Sequence, residues 1–366
     1  MEDTIYGGSV MKIIFLLPNL YAGGAERVVT VLAAEMVEME YSVQILLLTD
    51  SICQYKVQEN VELICLNTKG MSRTDRFKIL RNHLKKELTN NRVVVIPFQR
   101  SCLKHALAAS FGLEIPVIAT ERNDPNMYGR SLWNRVLASI PFILSKMSVF
   151  QTQDAANYYI LPKHKKKIIA NPITPTDFVW KGNLLDKRII MACRLEPQKN
   201  IAMMIDAIEL LANAIPDIRV DIYGDGVQRT ELEKICIDKS LSDKIKFCGK
   251  TQNVLKKMSE SSIYVSTSDY EGISNSMLEA MSIGMPIICT DCPIGGARMM
   301  LSDGAGVLIP VGDAEQLSNE IKYLLSNKDY ASELGHMANE RTRQYTSRKI
   351  AKSWLDIIYK IGKEHR

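Results

Sequence analysis

The chain has 366 residues, 46% hydrophobic and 24% charged, the make-up of a folded protein of about two domains. No low-complexity tract, short-period repeat or apolar run near the roughly 20 residues of a membrane span is present, which argues against disordered, fibrous and membrane-spanning classes. The net charge of +5 is uneven: residues 1–171 carry 21 Lys+Arg against 15 Asp+Glu, net +6, and the remainder is −1.

Met1–Val10 is acidic and poor in apolar residues, unlike a secretory leader, and is read as an extension without fold information. From there strand and helix alternate. Lys12–Leu17 is a short apolar run ended by Pro18, and Ala25–Met39 follows with helical period. Val43–Leu48 and Glu62–Leu66 read as strands, Phe77–Leu88 as an amphipathic helix, and Val93–Ile96 and Val117–Ala119 as strands. Leu132–Ser145 is an apolar helix and Ser148–Gln151 a strand. Asn171-Pro-Ile-Thr-Pro175 then places two prolines where neither a helix interior nor a central strand accepts them, so it reads as a linker.

The pattern restarts with strand Arg188–Ala192, helix Ile201–Ala214 and strand Arg219–Tyr223, closed by Gly224-Asp-Gly226. Lys244–Phe247, Ile263–Ser266 and Pro286–Cys289 are further strands, and Ala314–Ser326, Asp329–Tyr345 and Arg348–Lys360 are helices. Continuous apolar strands separated by helices imply parallel sheets covered on both faces. The expected class is α/β, with two doubly wound domains, 1–172 and 173–347. Ligands in such sheets bind in the crevice outside the carboxyl ends of the strands.

The segment richest in chemistry is Tyr270-Glu-Gly-Ile-Ser-Asn-Ser-Met-Leu-Glu279. It follows a strand and opens a helix for which Ser274 is a suitable N-cap. The N–H groups near Ile273, Asn275 and Ser276 then suit a diphosphate. Glu271 and Glu279 can accept hydrogen bonds from sugar hydroxyls and a ribose diol; a metal-binding pair is the competing reading, with no His or Cys nearby to complete it. Upstream, Cys193-Arg-Leu-Glu-Pro-Gln-Lys-Asn200 supplies two cations, Arg194 and Lys199, after a strand. Gly23-Gly24-Ala-Glu-Arg27 opens the first helix with residues that allow close backbone approach.

Glu271 and Glu279, with seven residues between them, in the run strand, Ser-Thr-Ser, Glu-Gly and helix, match the E-x7-E signature of the family 4 retaining glycosyltransferases. The chain resembles that family from Met11 to about Trp354. The resemblance implies the GT-B fold, two Rossmann-like domains facing a cleft, with the last helix, about 348–366, packing back on the first domain. It also implies a retaining, metal-independent transfer of a hexose or N-acetylhexosamine from a nucleotide sugar, expected to be a UDP-sugar, in polysaccharide or glycolipid assembly. No cofactor is expected, because the nucleotide sugar is a substrate. By this resemblance Arg194 and Lys199 hold the donor diphosphate, which suits a chain with no Asp-x-Asp for a metal. Gly23 and Gly24 face the donor phosphates. Gly224 lies near the nucleotide, and Lys250 belongs to the base pocket; both segments also read simply as strand caps. Gly295 and Gly296 approach the donor sugar, while the Glu that many members carry beyond them is replaced here by Met299.

Thr120-Glu-Arg-Asn-Asp-Pro125 stands where many members place a His near the reacting sugar, and it contains none. Glu121, Arg122, Asn123 and Asp124 are candidates for sugar or acceptor contacts, or else turn residues with a helix cap. The expected acceptor is a glycan or lipid-linked glycan. Leu132, Trp133, Val136, Leu137, Ile140, Phe142, Ile143 and Leu144, with Arg130, Arg135 and Lys146, suit a membrane surface, although a buried core helix is the simpler expectation. The basic segments Arg73–Lys86 and Lys163–Lys167 suit anionic lipid or phosphate. Such a surface would suit nucleic acid as readily, and a solvated helix face is the simpler reading; nucleic acid is not an expected partner. The expected location is the cytoplasm, peripherally on the inner membrane face, with all eight cysteines reduced. Cys289 and Cys292 form a lone CxxC, weak evidence for zinc or redox work. A non-catalytic nucleotide-sugar binder and a GT-B-fold epimerase are the competing readings; a dehydrogenase is disfavoured by the missing dinucleotide fingerprint.

Overall fold

A computed structural model of the chain describes residues 5–6, 9–21 and 23–364. The elements of the first half are β1 (Ile5–Tyr6), β2 (Ser9–Leu17), α1 (Gly24–Glu38), β3 (Ser42–Leu47), β4 (Glu62–Cys65), α2 (Arg73–Leu88) and β5 (Asn91–Pro97). They continue with α3 (Arg100–Ser110), β6 (Ile118–Glu121), α4 (Leu132–Leu144), β7 (Met147–Phe150), α5 (Gln153–Tyr158) and β8 (Lys166–Ile168). The second half runs β9 (Arg188–Ala192), α6 (Ile201–Leu211), β10 (Arg219–Tyr223), α7 (Arg229–Asp238), β11 (Ile245–Gly249), α8 (Val254–Ser259), β12 (Ile263–Ser266) and α9 (Asn275–Ser282). It closes with β13 (Ile287–Thr290), α10 (Gly296–Leu301), β14 (Val307–Ile309), α11 (Ala314–Ser326), α12 (Lys328–Thr342) and α13 (Ser347–Glu364).

The chain divides into two compact units: unit 1 runs to Thr174 and resumes at Thr346, and unit 2 is Pro175–Tyr345. In unit 1 parallel strands lie in the order β4-β3-β2-β5. A parallel bridge from Val95 to Val117 leads into a second parallel sheet, β6-β7-β8. Ile13 to Leu17 are fully buried, as a central strand covered on both faces requires. The last helix supplies core to this unit: Trp354 is fully buried with its ring 5.9 Å from that of Phe98. Unit 2 is one six-stranded parallel sheet in the order β11-β10-β9-β12-β13-β14.

Short polar side chains set the helix starts. Ser72, Ser131, Thr152, Asn200, Ser274, Asp313 and Asn327 each accept a hydrogen bond from the backbone N–H three residues on. The Ser72 cap explains why α2 begins at Arg73, a turn before the apolar period suggests.

Two expectations change. The first strand begins at Ser9, and β1 pairs antiparallel with it, so part of the supposed extension is sheet; the rest of that stretch lies outside the described residues. More consequentially, α4 is not a core helix. Only Ala138, Ser139 and Phe142 are buried, while Leu132 and Trp133 are each 68% exposed and Leu144 69%. Val136, Leu137, Ile140 and Ile143 are exposed beside them.

Candidate active site

In unit 2 the chain winds outward from β9 through β10 to β11, then returns to the other side of β9 and winds through β12, β13 and β14. The switch point therefore lies between β9 and β12, where an open α/β sheet binds its ligand beyond the carboxyl ends. The loops that follow these two strands carry Arg194, Lys199 and Glu271.

Those loops are laced together. Thr267 Oγ1 donates to the Lys199 carbonyl at 2.8 Å, and Asn200 Nδ2 to Asp269 Oδ1 at 2.7 Å. Gln198 Nε2 donates to the Tyr270 carbonyl at 2.7 Å, and the Asp269 N–H to the Gln198 carbonyl at 2.9 Å. Asn200, in the left-handed region at φ 42°, turns the chain into α6 and caps it. The outcome is that Lys199 Nζ meets the Glu271 carboxylate across the switch point. Ser268 Oγ donates to the same carboxylate oxygen at 3.2 Å. Arg194 is exposed and, among the described residues, has no side-chain hydrogen bond or ion pair.

The first turn of α9 is fastened to the end of β9. Ser276 Oγ donates to the Ala192 carbonyl at 2.7 Å and accepts from the Tyr264 hydroxyl at 3.1 Å. Ser274 caps the helix, its Oγ accepting from the Met277 N–H. The positive end of the α9 dipole is thereby set beside the switch point, with Ile273 buried beneath it. Glu279 lies one turn further along the same helix, half-buried.

Two glycines are required by backbone contact. A Cβ on Gly296 would stand 1.9 Å from the Gly272 carbonyl oxygen, and one on Gly224 (φ 139°) would stand 1.8 Å from the Cys193 carbonyl oxygen. The loops after β9, β10, β12 and β13 therefore pack at backbone distance. Gly295, at φ 65°, opens α10 beside Gly296. Lys250 stands apart: it is exposed beyond the edge strand β11, two strands from β9. Cys289 and Cys292 are buried free thiols, and burial pushes Cys292 up to about 12, so both are packing residues and not reactive ones. Among the described residues no group of three His, Cys, Asp or Glu side chains could hold a metal ion.

Unit 1 has its own switch point, between β2 and β5. There a Cβ on Gly23 would stand 2.2 Å from Glu26 Oε2. The buried Glu26 folds back over the start of α1 in the manner of a capping-box glutamate, and Gln99 Nε2 donates to its Oε1 at 2.6 Å. The absence of a side chain at position 23 leaves room for the Glu26 carboxyl group.

Glu121 is enclosed. Its Oε2 accepts from the Tyr159 hydroxyl at 2.5 Å and lies 3.4 Å from Arg100 Nη1. Its Oε1 accepts from the N–H groups of Arg122 and Asn123. Burial pushes its carboxyl up, against the Tyr159 and Arg100 contacts that hold it down. With both oxygens engaged it shapes the loop, and the expectation of a sugar contact is corrected to a structural role. Asp124 is likewise buried and caps the following turn. Asn123 is exposed, while Arg122 turns inward.

Sequence reasoning missed Gln99, Gln198, Ser268 and Tyr159. Gln99, Gln198 and Tyr159 are ordinary polar residues whose partners lie far along the chain, and Ser268 is an ordinary serine three residues before Glu271.

Comparison with known proteins agrees with this geometry. Residues 176–344 match the family model described as glycosyl transferases group 1. Across 96% of this chain and 99% of the relative, the sequence is 26% identical to a Campylobacter jejuni α-1,4-N-acetyl-D-galactosaminyltransferase named for a diphospho-undecaprenol-linked GalNAc acceptor. A second enzyme of that organism, an N-acetylgalactosamine-N,N'-diacetylbacillosaminyl-diphospho-undecaprenol 4-α-N-acetylgalactosaminyltransferase, is 25% identical over 95% of this chain and all of its own length. Among solved structures, Anabaena HepE with UDP and glucose superposes with a TM-score of 0.78 at 18% identity, covering 94% of this chain and 98% of that one. Staphylococcus aureus TarM does so with a TM-score of 0.80 at 15% identity, covering 94% and 99%. Unit 2 thus carries the domain of the glycosyl transferases group 1 family, and the chain is a glycosyltransferase of the GT-B fold.

Proposed function

We propose that the protein transfers an N-acetylhexosamine or hexose, with retention of anomeric configuration, from a UDP-sugar to a lipid-linked glycan at a membrane surface. The observation that carries this reading is the β9/β12 switch point, where a free Arg194, the Lys199–Glu271 pair and the start of α9 converge. A nucleoside diphosphate needs positive charge as it leaves. Arg194 offers a bidentate contact, Lys199 a point charge and α9 its dipole, with no metal or cofactor in the scheme. Glu271 then accepts from donor-sugar hydroxyls and Glu279 from the ribose diol. The acceptor hydroxyl attacks on the face the diphosphate leaves. The C–O bond to the diphosphate breaks as the new glycosidic bond forms, and the hydroxyl proton passes to a departing phosphate oxygen.

The acceptor assignment draws on the two Campylobacter relatives, both named for diphospho-undecaprenol substrates. The exposed face of α4 supports work at a membrane. Seven large apolar side chains stand out from it, and Lys165 Nζ anchors to the Ile143 and Ser145 carbonyls at its end. No helix among the described residues is long and apolar enough to cross a membrane. On this reading the protein binds peripherally, at the cytoplasmic face.

The test is nucleotide release from a panel of UDP-, GDP- and ADP-sugars, with and without bacterial lipid-linked glycan, for the wild type and Arg194→Ala. Release from one donor, raised by lipid and lost in the variant, supports the reading. Tight nucleotide binding without turnover on any acceptor would leave a binding protein instead.

A further inference from the structure

The side chain of Arg122 has an unusual environment. Its Nε, Nη1 and Nη2 are all shielded from solvent, and none has a hydrogen-bond partner. The guanidinium lies over two rings, 4.3 Å from the centroid of Phe98 and 5.3 Å from that of Trp354. The indole Nε1 of Trp354 is itself a buried donor without an acceptor. The nearest carboxylate, Glu121, is engaged by Tyr159, Arg100 and two backbone N–H groups. Two buried donor groups therefore belong to the same stack, and no acceptor serves either.

A desolvated, unpaired cation costs a fold several kcal/mol by order of magnitude. Aromatic stacking recovers only part of that. A fully apolar residue of similar length would fill the same stack at less cost. The position argues for a ligand: Arg122 is the first residue beyond β6 and Phe98 the first beyond β5, both at the carboxyl end of the unit 1 sheets. The switch point between β2 and β5, where Gln99 meets Glu26, is next to it.

We propose that Arg122, backed by Phe98 and Trp354, is an anion-contact residue that takes a phosphoryl group at the carboxyl end of the unit 1 sheets. This rests on the glycosyltransferase reading, whose substrates carry phosphoryl groups in the donor nucleotide and in a lipid-diphosphate acceptor. The removal of water from the guanidinium is already incurred in the fold. An arriving phosphate consequently gains charge-assisted hydrogen bonds without having to strip that water first.

The test is calorimetric titration of the full chain with UDP, with farnesyl diphosphate and with farnesol, for wild type, Arg122→Met and Arg122→Lys. Met keeps the apolar stack, so the variant is expected to melt at or above the wild-type temperature while losing at least tenfold in affinity for one phosphate-bearing probe. Lys is expected to recover part of that affinity, and farnesol binding is expected not to change. Loss confined to UDP assigns the contact to the donor; loss confined to farnesyl diphosphate assigns it to the acceptor. Unchanged affinity for both probes in Arg122→Met overturns the proposal and makes Arg122 a packing residue. Arg194→Ala separates the two levels: if it loses UDP while Arg122→Met binds both probes normally, the transferase reading stands and this inference falls. If the wild type binds neither probe, both fall.

Discussion

Lys199 and Glu271, seventy-two residues apart, form an ion pair across the β9/β12 switch point. Each is thus held ready by the other. In the proposed reaction, donor binding turns Lys199 to phosphate and releases Glu271 to sugar hydroxyls. Lys199→Ala is expected to lower kcat by about 10²–10³, the usual effect of removing one electrostatic stabiliser. Glu271→Gln is expected to act more strongly on KM for the donor. A double-mutant cycle on kcat/KM should show clear non-additivity; additive effects would mean that the pair has no functional coupling.

The contact of Gly296 with the Gly272 carbonyl gives a backbone test. Gly296→Ala places a methyl 1.9 Å from that oxygen, so one of the two loops must move. Donor affinity is expected to fall at least tenfold, with a smaller loss in melting temperature. Gly304→Ala is the control: alanine there carries the strain of a φ of 82°, which Gly296 does not impose, but nothing lies near its Cβ. If Gly304→Ala loses as much donor affinity as Gly296→Ala, the loop contact is not what matters.

The α4 face predicts membrane behaviour. Trp133→Ser with Leu144→Ser should reduce co-sedimentation with vesicles containing anionic lipid about tenfold or more, while leaving nucleotide binding intact. Raising salt should weaken the wild type, because lysines and arginines contribute alongside the apolar face. Equal sedimentation of variant and wild type would remove α4 from the membrane interface.

Unit 1 contains a buried polar cluster with a pH signature. Lys12 Nζ reaches Glu62 at 2.5 Å and Glu87 at 2.6 Å, while Gln44 bridges both carboxylates and meets His83 Nε2 at 2.8 Å. Burial tends to lower the Lys12 pKa, but the two carboxylates outweigh it and raise it. Burial tends to raise that of Glu62, and Lys12 and Gln44 outweigh it in turn. Burial lowers that of His83 despite the nearby carboxylates. The lowered His83 means that the unfolded chain takes up its proton first, so stability falls as pH drops through the ordinary 6.5. The lowered Glu62 adds a further loss below its ordinary 4.5, and the raised Lys12 withdraws its contribution only above 10.5. Urea melts from pH 8 to pH 4 should show this acid slope, and His83→Gln should flatten its upper part. Lys12→Met should cost about 3 kcal/mol, the low end for breaking a buried pair, because Glu62 is half-exposed.

Much of the unit 2 site was legible because its signals are local. The strand, Ser274 as cap and the Glu271–Glu279 spacing fall within one short run, and the Cys193–Asn200 segment follows directly on β9. The unit 1 residues were less legible because their partners are remote. Glu121 is consumed by Tyr159, thirty-eight residues on, and Arg122 by Trp354 on α13. An apolar helix such as α4 carries the same residues whether it faces core or lipid, so composition alone favoured the commoner outcome. Beside Gly23 stands the Glu26 side chain, a neighbour that the glycine pair alone does not announce.

The return of α13 to unit 1 sets the order in which the chain can fold. Unit 2 is an insertion between two stretches of unit 1, and Ile173 and Thr346, on either side of it, are bridged in parallel. During synthesis unit 2 has all of its strands before α13 emerges, while the Phe98 ring still waits for Trp354. Unit 2 can therefore mature first, and unit 1 closes its core last. Destabilised variants of α13 should leave nascent chains with a folded unit 2 and an exposed aromatic surface on unit 1, the kind of species that chaperones retain.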